Sequence, residues 1–423
     1  MTFQSGWFRC ALMLSVSWHA FGAPQEAEPW TEARIIERFL EQSPQARELR
    51  ARVGLTEAEA RARIVYPNPS ASYSREGAGY NEFFEVSQVL PVNGRLRYLR
   101  DAGSAAVAVS EAGRETALWT LRNELRVAFH QMVAAQERVR VLEAESGELE
   151  RLIQVLRVRE QEGEGSRYDR LRAEREAFEL RTDVTAAKSL IAAARARIMA
   201  FLPEGTRIGS VLGTLTVAPE IPAAPALKQR ALSTRADYRV EQRNLARYQI
   251  EEQGARRLRV PEPQISAGIK RADVTSGTGP DPFANTARTG LVFSLTVPLP
   301  VFNSGRYEVS RYQAEQEQAR SRAAVIERQM SAEIEGAREV LEIRIEALKT
   351  YRDRLATAGP ELGRVTRVAY DEGEAGILEL LDSLRVNRAA NLRLLDFEMA
   401  AKEALIDLER AVGEELTGTG GRP

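Results

Sequence analysis

The chain has almost none of the residues that build metal sites, disulfides or catalytic centres. One cysteine, Cys10, and two histidines, His19 and His130, occur in 423 residues. A lone thiol closes no disulfide, and a metal site needs three or four converging ligands, so neither metal nor cofactor is expected. No nucleophile stands beside a base in any recognisable pattern, and the chain is not expected to be an enzyme. His130 falls inside a long helical pattern, where an interhelix or surface position is expected. Aromatic residues are also scarce, at 7%, against 28% charged residues. That balance favours extended amphipathic helices over one large globular core. The 59 basic and 60 acidic side chains interleave along the helical faces. Without a net positive face there is no footprint for nucleic acid. No stretch approaches the roughly 20 consecutive apolar residues of a membrane-spanning helix. If the exported chain meets a membrane, it must do so with strands.

Residues 1–22 read as a secretory signal. Arg9 supplies a thin positive region, residues 10–21 an apolar stretch, and Ala20-Phe21-Gly22 a small-x-small site with cleavage after Gly22. Trp7-Phe8-Arg9 is not the small-residue context of a lipoprotein site. Removing the signal takes Cys10 with it.

Residues 23–225 form the first of two similar units. A helix is expected over about 30–64, capped by Thr31, with Ile35, Ile36, Phe39 and Leu40 as its apolar stripe. Tyr66-Pro67-Asn68-Pro69 stops it. Alternation then changes to the strand period over about 69–76 and 83–91. Pro91, Gly94 and Arg95 mark the change back to helix. A helical hairpin follows over about 95–202, turning at Gly163 and Gly165, and a Pro-rich connector occupies 203–225.

The second unit, 226–416, repeats this punctuation. Val260-Pro261-Glu262-Pro263 precedes strands over about 262–272 and 289–299. Leu299-Pro300-Val301-Phe302-Asn303-Ser304-Gly305-Arg306 then matches Leu90-Pro91-Val92-Asn93-Gly94-Arg95, with Pro300, Gly305 and Arg306 at the transition. A helical hairpin over about 306–416 turns at Gly373 and Gly376, and 417–423 is a tail. The offset between copies widens from about 194 to about 210 positions, most of it between the second pair of strands at 273–288, as when a repeat takes its insertions in one loop. That loop is expected at the cell surface.

Two strand hairpins supply four strands. A membrane barrel needs about eight or more, because lipid offers no partner to an open edge. One chain cannot close a barrel, whereas three copies give twelve strands, with Tyr73, Phe83, Phe84 and Phe293 available for interfacial girdles. Met330, Ile334, Ala337, Leu341, Leu348, Tyr351 and Leu355 recur at mostly three- and four-residue steps and predict a coiled-coil seam. The expected fold is mainly α with a membrane β-barrel.

The signal, the duplicated layout, the PNP and PEP strand starts, the QVLPVNGR and PLPVFNSGR strand ends and the paired glycine tips together resemble the outer-membrane factor (TolC-like) family. The resemblance covers nearly the whole mature chain. It implies a homotrimer whose twelve-stranded outer-membrane barrel continues into a long periplasmic α-barrel. Such a duct is the exit of a tripartite efflux pump or type I secretion system. PLPVFNSGR and the early PNP look most like the heavy-metal-efflux branch. That branch implies heavy-metal cations as cargo, a periplasmic adaptor (membrane fusion protein) and a resistance-nodulation-division inner-membrane pump as partners, besides outer-membrane lipid. Multidrug efflux or type I secretion is the alternative within the same fold. A periplasmic coiled-coil adaptor or scaffold is the alternative of another class, although an adaptor would need one hairpin flanked by lipoyl-like and small barrel domains.

The resemblance also implies site residues. Asp169, Tyr370, Glu379 and Asp382 match acidic and aromatic positions that narrow the periplasmic aperture. Gly163, Gly165, Gly373 and Gly376 match the tips on which an adaptor docks. Members of the family carry a basic residue two positions beyond the second-copy glycine, where this chain has Ala375, so no inter-subunit link is expected there. Threefold repetition of the carboxylates would make a ring attractive to cations. The other reading, carboxylates at solvated helix ends, stands beside it for Asp169. Glu379 and Asp382 lie three residues apart on one helix face.

Overall fold

A computed structural model describes residues 29–76, 81–218, 220–275 and 285–416. The expected signal, residues 276–284 of the loop expected at the cell surface, and the tail lie outside them. The chain begins with a short strand β1 (Trp30–Thr31) and two helices, α1 (Glu32–Gln42) and α2 (Pro44–Ala62). The single helix expected over 30–64 is therefore divided. The residue before a proline is pushed out of the helical region, and Ser43 accordingly has ψ 148°. Its Oγ accepts the Ala46 N–H at 2.9 Å, while Pro44 occupies the first turn, where its missing N–H costs nothing.

Strands β2 (Ser70–Glu76) and β3 (Asn81–Val89) follow, then helices α3 (Arg95–Gln161) and α4 (Arg167–Met199). A two-residue strand β4 (Val211–Leu212) pairs in parallel with β1 and ties the connector to the start of the chain. Helices α5 (Ala224–Thr234) and α6 (Ala236–Arg256) open the second unit. Strands β5 (Gln264–Thr275) and β6 (Asn285–Thr296) and helices α7 (Arg306–Asp371) and α8 (Ile377–Val412) complete it. The second strand pair is longer than the alternation at 262–272 and 289–299 predicts on its loop side. Part of the insertion is paired backbone, with Asp273 opposite Ala287 and Thr275 opposite Asn285. On its other side β6 ends at Thr296, before Pro298, which cannot donate to the ladder.

The four longer strands form one antiparallel sheet in the order β2-β3-β5-β6. Its apolar face carries Tyr73, Phe84, Ile269 and Leu291 in one row and Val86 and Phe293 in the next. Among the described residues nothing covers this face: Leu291 is 73% and Phe293 75% exposed. Both strand-to-helix transitions are built alike. Gly94 and Gly305, at φ 72° and 80°, precede Arg95 and Arg306 at the starts of α3 and α7. Just before each glycine an asparagine oxygen accepts a backbone N–H, Asn93 from Arg95 at 2.9 Å and Asn303 from Gly305 at 3.2 Å.

The helices pack as long pairs rather than around one centre. Near the tips, Leu142, Leu149, Ile153 and Leu156 of α3 and Ala173, Ala177 and Leu180 of α4 enclose Ile377, Leu380 and Leu381 of α8. Further up, Met330, Ile334 and Leu341 of the expected seam pack with Leu405, Leu408 and Val412 of α8 and with Leu227. Leu348 is also buried, whereas Tyr351 and Leu355 are half-buried. Level with this second core a polar knot joins α1, α3 and α8. The Arg126 guanidinium donates to Glu32 at 2.6 Å and to the fully buried Glu409 at 2.7 Å. His130 is buried beside it, edge-on to Phe129 and 3.3 Å from Glu32. Burial alone would push the Glu32 carboxyl up, but the close His130 ring and the Arg126 hydrogen bond and charge hold it down to about 2. Among the described residues no helix is long and apolar enough to cross a membrane, and no group of three or more His, Cys, Asp or Glu is placed to hold a metal ion.

Candidate functional site

The two hairpin tips begin from the same local physics. A helix ends cleanly when the next residue adopts the left-handed conformation, which glycine takes without a Cβ penalty. Gly163 and Gly373 do so at φ 80° and 76°. In the first tip Gly163 N–H bonds to Glu160 C=O at 3.1 Å and Glu164 N–H to Arg159 C=O at 2.9 Å. In the second, Gly373 bonds to Tyr370 at 3.1 Å and Glu374 to Ala369 at 2.8 Å. This is the same paired closure of orphan carbonyls, a Schellman motif, in both copies.

The return helices start differently. Ser166 caps α4, its Oγ accepting the Tyr168 N–H at 3.1 Å. Its counterpart Gly376 has no side chain to do this. Instead Glu379 folds back, its carboxylate 2.9 Å from where a Cβ on Gly376 would lie, against the positive end of the helix. Gly165 serves close approach: a Cβ there would fall 2.8 Å from Arg159 Cβ.

Of the four residues expected at the aperture, the structure brings two together. Tyr370, in the last turn of α7, packs on the core between the hairpins, with the Arg159 guanidinium 6.0 Å from its ring centroid. Burial and the carboxylates of Asp169 and Asp371 push its phenol up, against the pull of Arg159. Asp169, in the first turn of α4, is thus the neighbour of Tyr370 across the two tips. Glu379 and Asp382 are separate from this group. They are exposed, on the side of α8 away from the buried Ile377, Leu380 and Leu381, beside the exposed Leu378 and Val386.

Sequence reading missed a charged clamp above the tips. Glu176 of α4, only 5% exposed, accepts from Arg385 Nε at 2.9 Å and from Arg388 at 3.3 Å, both on α8. Arg388 also lies 3.7 Å from Glu145 of α3. The Arg385 hydrogen bond holds the Glu176 carboxyl below the usual range despite burial. Glu145 goes the other way: burial, with Glu148, Glu176 and Asp183 nearby, pushes it up to about 7 against Arg388. The one local signal was the Arg385-x-x-Arg388 pair on a single helix face.

Residues 227–414 match the family described as outer membrane efflux protein. No curated protein sequence matches the chain significantly. Among solved structures the chain is similar to CusC, with TM-score 0.69 and 17% identity over 90% of this chain and 92% of that one. It is similar to the outer-membrane channel OprN, with TM-score 0.68 and 20% identity over 90% and 89%. It is also similar to the Neisseria gonorrhoeae MtrE outer-membrane channel, with TM-score 0.67 and 19% identity over 91% and 89%. The match to the outer membrane efflux protein family thus spans the second unit, and nine-tenths of the chain shares the fold of the solved channels.

Proposed function

We propose that three copies of this chain close into one duct, the outer-membrane exit of a tripartite efflux system. The carrying observation is the four-stranded sheet with two free edges, β2 and β6, and one unpacked apolar face. Lipid leaves such edges unpaired at several kcal/mol per group, and β2 of one copy runs antiparallel to β6 of the next when the sheets are joined in a ring. Twelve strands then enclose an aqueous lumen, and the helices continue it into the periplasm. In this reading Gly163, Gly165, Gly373 and Gly376 form six tips on which a periplasmic adaptor docks. Tyr370 with Asp169, and Glu379 with Asp382, line and narrow the aperture. The Glu176 clamp holds the second hairpin against the first. An inner-membrane pump of the resistance-nodulation-division class supplies the cargo.

The cargo we assign is heavy-metal cations. PLPVFNSGR and the early PNP support this, together with exposed carboxylates at the tips, which repel anions when repeated about an axis. The chain itself has too few His, Met and Cys to select a metal, so selection falls to the pump. Expression with the cognate adaptor and pump in a host lacking its own channels tests the assignment. Tolerance to divalent metal salts should rise and tolerance to cationic dyes should not. A rise for dyes alone points to the multidrug alternative.

A further inference from the structure

The sheet has a second face, chemically opposite to the apolar one. If the apolar side meets lipid, this side borders the lumen, so the inference rests on the trimeric-channel reading above. The register arranges its side chains in rows. At the periplasmic end, where the helices attach, Ser70, Ser87, Ser266 and Ser294 contribute one serine from each strand. Ser70 Oγ lies 2.7 Å from Ser87 Oγ, and Ser266 Oγ 2.6 Å from Ser294 Oγ. One row outward, Glu85 faces Gly268. A Cβ on Gly268 would fall 2.9 Å from Glu85 Cα. The missing side chain lets the β3 backbone approach closely, since a Cβ would also fall 2.2 Å from the Phe84 carbonyl oxygen, and the Glu85 carboxylate accepts a hydrogen bond from Ser266 Oγ. In the next row Phe83 faces Lys270, whose ammonium sits 4.9 Å from the Phe83 ring centroid. Glu76 and Arg288 lie a row further out, while Arg75, Glu82 and Arg271 are on the other face.

We propose that Glu85 and Lys270 set the charge preference of the barrel lumen, as two opposed rings stacked inside it. Threefold repetition puts a carboxylate ring on a floor of serine hydroxyls, and an ammonium ring two residues further along the strands, about 7 Å away. Inorganic cations are favoured at the first ring, where carboxylate and hydroxyl oxygens replace part of the hydration shell. The second ring opposes them. This is a selectivity element in the membrane, separate from the periplasmic tips.

The test is the potassium-to-chloride permeability ratio of the purified full-length protein in planar bilayers under a salt gradient, with the tip carboxylates intact. Glu85→Gln should lower the ratio by about twofold or more, and Lys270→Gln should raise it by about the same factor, as expected for charged rings lining a pore. The double variant should return near the parent value. Either single variant leaving the ratio unchanged, while still running as a heat-sensitive oligomer, overturns the proposal. Lys270→Gln leaves the Glu85–Ser266 contact in place and decides the matter alone if Glu85→Gln does not assemble. A parent protein that conducts no ions at all contradicts the channel reading instead.

Discussion

The first hairpin tip is closed and capped by its own residues, whereas the second is closed alike but secured from outside. Both use a left-handed glycine and the same pair of carbonyl contacts. The first then begins its return helix on the Ser166 hydroxyl. The second begins on Gly376, with Glu379 folded over it, and its return helix is gripped two turns further on through Arg385, Arg388 and Glu176. A helix with a weak start and a strong distant tether can move as a unit once the tether is released. A helix capped in place cannot do so as readily. On these contacts α7–α8 is expected to shift when the tether is released, with α3–α4 as its fixed support.

Breaking the tether should have the largest effect. Glu176→Gln leaves two guanidinium groups facing a neutral partner. Loss of one partner from a buried pair costs about 3–5 kcal/mol, and the half-exposure of Arg385 reduces this to roughly 1–3 kcal/mol. The expected outcome is higher single-channel conductance in bilayers, together with earlier thermal loss of helicity. Unchanged conductance would remove the tether from the account.

The same region should respond to pH. Glu145 is raised in the folded chain, so the stability it contributes is fully present below its ordinary carboxylate range and is lost as pH rises through about 7. Glu176 is lowered, and its contribution is lost only as pH falls below the ordinary carboxylate range. Between pH 5 and 8 the Glu145 effect dominates, on the order of 2 kcal/mol. Glu145→Gln should flatten the melting temperature across that interval, and a slope equal to the parent's would contradict this.

The tips themselves give the smallest contrast. Gly163→Val and Gly373→Val should cost about 1–2 kcal/mol each, because both force a Cβ into the left-handed region. Ser166→Ala should cost about 1 kcal/mol and Gly376→Ala only a few tenths, since only the first removes a cap. Equal losses for the two cap variants in thermal melts would erase the difference between the tips.

Much of this was legible in the sequence because it is local. The strand alternation, the Asn93-Gly94 and Asn303-Ser304-Gly305 turns before Arg95 and Arg306, and the tip glycines are each specified by a few adjacent residues. The Ser43-Pro44 break was also local, but a strong apolar stripe on either side hid it. The Gly359-Pro360 pair is the converse, since α7 runs through it unbroken. The clamp could not be read, because Glu176 and Arg385 are 209 positions apart and one charge among 119 says nothing of its partner. For the same reason the sequence does not tell that, of the four residues expected at the aperture, Tyr370 lies near Asp169 while Glu379 and Asp382 stand apart on α8.

The central claim is the closed trimeric duct. The mass of the detergent-solubilised protein, corrected for bound detergent by light scattering with refractive index and absorbance, tests it most directly. The account predicts three chains per particle, collapsing to one on boiling. A particle of one chain with its helices intact would contradict it, because four strands cannot close a barrel.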